Sequence, residues 1–195
     1  ITGKNEVKKN KSVAINGISN YIIYGPKNPF NDVSSNEDIK NMDPDQLVMK
    51  IKDLFNYKHE VFYFGPRDIS TLKSPLNNNL EVKNPKTEKA PDKYKEQNIT
   101  ENKIYYANYD SIQNDIMILS KEGKFTLEML PYSMLYSTLY SEGLSSIPFQ
   151  KLREGKALAY SAYSYIKSPD KRDNSFYLIS YIGTQSDKTD DAISS

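Results

Sequence analysis

The sequence predicts an α+β chain in two parts, and three observations say so. Apolar residues at helical spacing dominate positions 10–55. After position 99, strand-like runs bracket two helical stretches. Between the two parts lies a stretch rich in Pro, Asn and Lys, over residues 73–98. A length of 195 residues fits one domain or two partial ones.

In the first part, Ile15, Ile18, Tyr21 and Ile22 recur at helical spacing, and Gly25-Pro26 stops the run. Gly17 inside it costs about 1 kcal/mol against Ala. Ser35-Asn36-Glu37-Asp38 predicts a cap on one short helical turn. A firmer start follows, with Asp43 as N-cap, Pro44 at the first helical position and Gln46 reaching back. Leu47, Val48, Ile51, Leu54 and Phe55 then share one face. His59–Gly65, rich in branched and aromatic residues and closed by Pro66, predicts a strand. Residues 73–98 hold Pro75, Pro85, Pro91 and the triplet Asn77–Asn79, with few large apolar groups. Such a stretch cannot repay its ordering entropy and reads as a linker or a surface-hugging strap. The expected organisation is therefore 1–72, a connecting stretch 73–98, and 99–195.

In the second part, Lys103–Tyr109 and Gln113–Ser120 read as strands joined by a tight turn at Asp110-Ser111, and Glu122-Gly123 ends the second. Thr126–Tyr140 carries Leu127, Leu130, Met134, Leu135 and Leu139 at helical spacing, with Pro131 near its start and Gly143 past its end. Ser145 or Ser146 caps a shorter helix holding Phe149 and Leu152, stopped by Gly155. Ala159–Lys167 and Ser175–Gln185 are two further strands separated by a charged turn. Residues 187–193 start like a helix with no body. The pattern is a ββααββ unit with its last helix begun and cut off.

Composition excludes more chemistry than any motif supplies. Lys and Arg total 26 against 25 Asp and Glu, a net charge of +1, so no bulk field draws in nucleic acid or a membrane surface. There is no Cys, which removes disulfides, thiolate nucleophiles and thiolate metal sites. One His, His59, cannot build a site needing two imidazoles. The longest apolar stretches, such as Ile116–Leu119, fall far short of the roughly 20 residues a spanning helix needs. No signal peptide is visible, and Ile1 in place of Met predicts a processed product or a piece of a longer chain. Compartment stays open between periplasm and cytoplasm.

His59 precedes a strand-like run with no second ligand and reads as structural. The pairs Asp43/Asp45, Asp170/Asp173 and Asp190/Asp191 sit at helix starts or in turns, where Asp caps backbone N–H groups. No metal site is expected. Asn98-Ile99-Thr100 matches a glycosylation acceptor, a short pattern common by chance. No Gly-rich phosphate loop and no Gly-x-Ser-x-Gly occurs. Arginine is rarer and more telling: Arg67, Arg153 and Arg172 are the only three. Arg153, in the last turn of the short helix, suits planar multi-donor hydrogen bonding; composition alone favours an ion pair or a contact with the helix C-terminus. Tyr160, Tyr163 and Tyr165, with Tyr177 and Tyr181, form a ladder whose ordinary reading is half-buried sheet aromatics. Tyr163 and Tyr165 share a face, while Tyr160 lies on the other with Ala162 and Ser164, small neighbours that leave room beside it.

The run Gly143–Ser161 (GLSSIPFQKLREGKALAYS) resembles the signature of the non-catalytic half of insulinase/pitrilysin-family zinc peptidases: a small-residue turn, Phe149-x-x-x-Arg153, then Leu158-x-Tyr160. Tyr24-Gly25 with Pro29-Phe30, Tyr57-Lys58-His59 with Tyr63-Phe64-Gly65-Pro66, and Ser180–Thr184 resemble the longer bacterial members in the same order. The resemblance implies a two-layer sandwich, a largely antiparallel sheet with helices on one face, in a truncated domain of a clamshell half. On it, residues 1–72 are the end of a preceding peptidase-like domain and 99–195 the start of the next. It implies that Arg153 and Tyr160 contact a peptide substrate near the scissile bond. The zinc and its His-x-x-Glu-His motif would lie in a catalytic half, in the same polypeptide or a partner subunit. With one His, this chain cannot supply that motif, holds no cofactor of its own, and is expected to be inactive alone. Two other readings stand beside this one: an inactive peptide-binding or assembly module of the same superfamily, and a Tyr-rich binding domain unrelated to proteolysis.

Overall fold

Asn10 opens the first helix, its side chain accepting a hydrogen bond from the Ser12 amide at 2.9 Å. This computed structural model describes residues 10–80, 82–87, 94–141 and 143–195. The first nine residues and the Pro91 part of the expected linker lie outside them. The chain separates into two units, Ile1–Gln97 and Asn98–Ser195.

In the first unit, helix α1 (Lys11–Tyr24) ends at Gly25, whose φ of 83° is the left-handed conformation that Gly adopts without steric cost. Gly17 has a packing reason: a Cβ there would stand 2.9 Å from the Phe30 ring. The following turn is organised by buried Asn28, which donates to the Gly25 carbonyl at 2.7 Å and accepts from the amides of Phe30 and Asn31. Helix α2 (Asn36–Lys40) carries a full capping box between Ser35 and Asp38. Helix α3 (Pro44–Asp53) starts on Asp43, which accepts from the Asp45 amide, and passes into a 3-10 turn at Leu54–Asn56.

One expectation for this unit fails. His59–Gly65 forms no strand, because propensity supplies a pleat but a ladder needs a neighbouring strand, and the described residues offer none. Residues 69–80 form helix α4 (Ile69–Leu80), whose last two turns fall in the stretch expected as a linker or surface-hugging strap. Ile69, Leu72, Leu76 and Leu80 recur at helical spacing, and they line one wall of a groove of about 700 Å³. Past α4, the described residues 82–87 and 94–97 contact the rest of this unit. Lys86 bridges to Tyr57 and its ammonium meets Asp53 at 2.6 Å. The Asp53 carboxyl is thereby held below its ordinary range, by the Lys86 hydrogen bond first and that of Asn56 second. Further on, the Gln97 amide donates to the Ile23 carbonyl at 2.7 Å and Tyr94 meets Tyr24 edge-on.

The second unit holds strand β1 (Gln113–Lys124), helix α5 (Met129–Tyr140), a π-helical turn (Phe149–Gly155), strands β2 (Ser161–Lys167) and β3 (Ser175–Gln185), a 3-10 turn (Ser186–Lys188) and helix α6 (Thr189–Ile193). The sheet order is β1-β3-β2, with both pairings antiparallel. β2 and β3 form a hairpin, and β3 inserts between β1 and β2, which makes a split β-α-β unit. The result is a mixed α and β fold with a small antiparallel sheet flanked by helices. Lys103–Tyr109 is not a strand, and no hairpin forms at Asp110-Ser111. Ile104 and Tyr106 stay exposed there, whereas β1 finds its ladder on β3, from Gln113 opposite Gln185 to Lys124 opposite Ser175.

The core of this unit sits on β3. Phe176 and Thr184 are its largest fully buried side chains, joined by Tyr177, Ile179, Ala162 and Ala192. On one sheet face Tyr163 stacks on Tyr181 with ring centroids 4.9 Å apart, and the Tyr181 hydroxyl donates to Asp115. Gly183 keeps room for that ring, since a Cβ would come within 3.2 Å of the Tyr181 hydroxyl. Burial first, and the Asp115 hydrogen bond second, push the Tyr181 phenol well above its usual range. A raised folded-state pKa adds stability that is fully present below the unfolded value of about 10 and fades as pH rises beyond it. Unfolding curves followed by circular dichroism should therefore show the native chain losing stability above about pH 10 more steeply than Tyr181→Phe. Equal slopes would mean the phenol is not held neutral by the fold.

Candidate functional site

Arg153 and Tyr160 are brought together at one end of the sheet. Pro148 leads into the π-helical turn Phe149–Gly155, a rare geometry often found at functional sites. Within it the Arg153 guanidinium lies over the Phe149 ring, 4.9 Å from its centroid. The wide turn sends the chain back sharply: the amides of Leu158 and Ala159 both donate to the Leu152 carbonyl. Ala157 takes the left-handed conformation at φ 51°, a strained setting for a residue with a Cβ, and the Lys188 ammonium bonds its carbonyl at 3.1 Å. Tyr160 then docks on β3 through its amide, which donates to the Gly183 carbonyl at 2.8 Å.

The pair is linked directly. Arg153 Nη1 donates to the Tyr160 main-chain carbonyl at 3.3 Å. The Arg153 side chain remains 50% exposed and Tyr160 likewise 50%, so neither is consumed by the interior. The ion pair that composition favours is weak: Arg153 Nε reaches the Glu154 carboxylate at 4.0 Å, too far for a hydrogen bond. Tyr160 Oη accepts a hydrogen bond from Gln185 Nε2 at 3.0 Å, a partner that sequence reasoning missed. Gln185 stands 25 residues away and belongs to no motif; only the β2–β3 hairpin places it there.

Other expectations fare differently. The small residues beside Tyr160 do not leave an open surface, because α5 fills it: Tyr136 Oη meets Ser164 Oγ at 3.0 Å, and Ser164 continues to Ser180 Oγ at 2.8 Å. Neither Ser145 nor Ser146 caps the turn with its side chain. Ser146 gives only its carbonyl to the Gln150 amide, and its buried hydroxyl has no hydrogen bond among the described residues. The Tyr163, Tyr165 and Tyr181 ladder is ordinary sheet packing with Asp115 at its end. His59 is exposed in the other unit, with Nδ1 3.1 Å from the Tyr57 carbonyl.

The donor set does not fit zinc. The chain has one His and no Cys, and among the described residues no three His, Cys, Asp or Glu cluster as metal ligands. No described helix is long and apolar enough to cross a membrane. No protein-family model matches the chain, and no curated protein matches it either. What this site offers chemically is hydrogen-bond donation. Among the described residues the Arg153 guanidinium spends one N–H on Tyr160, and the Tyr160 O–H has no acceptor.

Proposed function

We propose that the chain is a peptide-binding module without catalysis of its own, of the insulinase/pitrilysin type that the Gly143–Ser161 signature resembles. The observation that carries this reading is the half-exposed Arg153–Tyr160 pair, preset by the π-helical turn, in which Arg153 gives one N–H to the Tyr160 carbonyl, meets Glu154 only at 4.0 Å and stays half exposed. Peptide main-chain carbonyls are the natural complement of such a pair. In an endopeptidase, a catalytic half elsewhere would supply zinc and water, and this pair would hold the substrate carbonyls near the scissile bond. That finer role needs the other half, whereas binding needs only the residues described above.

The test is fluorescence anisotropy of the purified chain with a fluorescein-labelled unstructured peptide. Each of Arg153→Ala and Tyr160→Phe should weaken binding roughly tenfold, about what one net hydrogen bond contributes. Arg153→Lys should recover only part of the loss, because the charge returns without the planar fork. Unchanged affinity in Arg153→Ala and Tyr160→Phe, with native circular dichroism, would overturn the reading.

A further inference from the structure

We infer that Gln185 is the positioning residue of this site: it holds the Tyr160 phenol by donating to its oxygen, and so aims the Tyr160 O–H, beside the Arg153 guanidinium, at carbonyl acceptors. The inference rests on the peptide-binding reading for its ligand, but not for its geometry. Gln185 closes β3 opposite Gln113, where the strand still constrains its backbone. Around it, one short run bonds the whole return segment. The Gly183 carbonyl accepts from the Tyr160 amide at 2.8 Å, fully buried Thr184 donates to the Leu158 carbonyl at 2.6 Å, and Lys188 donates to the Ala157 carbonyl at 3.1 Å. Gln185 adds the one contact of that run to the Tyr160 side chain, 3.0 Å from Nε2 to Oη.

The polarity of that contact decides what the site takes. A phenol has one proton and acceptor capacity besides. With Gln185 occupying the oxygen as a donor, the proton is directed away, toward whatever lies against Tyr160. Arg153 has donors only, so with the Tyr160 oxygen taken up by Gln185 both side chains turn N–H or O–H groups toward the ligand. An acceptor at position 185 would reverse this by drawing the phenol proton onto itself. A hydrocarbon there would leave the ring free to change rotamer.

Three variants of the full chain separate these effects: Gln185→Leu, Gln185→Glu and Gln185→Lys. Side-chain three-bond couplings of Tyr160, read by NMR, report its χ1 population without any ligand. Binding of the same fluorescein-labelled peptide reports the donor. Gln185→Leu should average the Tyr160 rotamer and lower affinity roughly tenfold, as for one lost hydrogen bond. Gln185→Glu should keep a single rotamer yet lose as much affinity as Tyr160→Phe. Gln185→Lys, a donor of similar reach, should restore binding. β2–β3 amide signals check the fold, and the near-isosteric Glu variant serves if the Leu variant unfolds. A single Tyr160 rotamer in Gln185→Leu, or native affinity in Gln185→Glu, overturns the role. If the native chain binds no peptide, the functional reading falls while the couplings still decide the positioning. If Tyr160→Phe weakens binding and all three Gln185 variants bind normally, the positioning falls alone.

Discussion

Phe176→Ala is expected to destabilise the sheet unit by about 3–5 kcal/mol, the range for emptying a packed aromatic site. Phe176 is only 1% exposed, sits on the central strand and stacks on Phe125 with ring centroids 5.6 Å apart and planes 17° from parallel. Its removal takes away both the transfer free energy of the ring and the contacts of its neighbours. In a unit with so small a sheet, that loss is a large share of what holds the native state together. Urea titration monitored by circular dichroism gives the value. A shift below about 1 kcal/mol would show that the site collapses around the vacancy or was never tightly packed.

The second large effect is expected at Thr184, where structure and site meet. Thr184 is 0% exposed, and its hydroxyl donates to the Leu158 carbonyl at 2.6 Å. Val has nearly the same shape but no donor, so Thr184→Val leaves that carbonyl short of a partner at a cost of about 1–3 kcal/mol. The consequence reaches the site, because Leu158 lies between strained Ala157 and Tyr160. Peptide affinity should fall together with stability, while Thr184→Ser, which keeps the hydroxyl, should retain most of both. Full stability in Thr184→Val would show that the return segment does not depend on this anchor.

How much of this could be seen beforehand varies by element, for reasons of local physics. β3 spans the predicted residues Ser175–Gln185, since its dense branched and aromatic run is bounded by turn residues on one side and polar ones on the other. The α1 stop at Gly25 and the starts at Ser35 and Asp43 were also legible, because capping is a matter of a few adjacent residues. Lys103–Tyr109 and His59–Gly65 misled because a strand is a relation between segments, and composition records only one partner. α4 was lost to averaging: its apolar spacing runs into a stretch whose Pro, Asn and Lys content reads as linker. At the site, Arg153 stands out by scarcity, and Tyr160 only through the resemblance of the run around it. Gln185 could not, since nothing local distinguishes one glutamine at a strand end.

Read along the chain alone, the residues already tell that there is no thiol and a single imidazole, where the caps fall, and that a rare arginine stands seven positions before a tyrosine. Those are properties of residue type and near spacing, which the chain carries before it folds. Folding adds the rest: β3 inserts between β1 and β2, α5 fills the space beside Ala162 and Ser164, and Gln185 meets the Tyr160 phenol. The reason is that hydrogen bonds across a sheet join residues far apart in the chain, and their identity depends on a register that no single segment encodes.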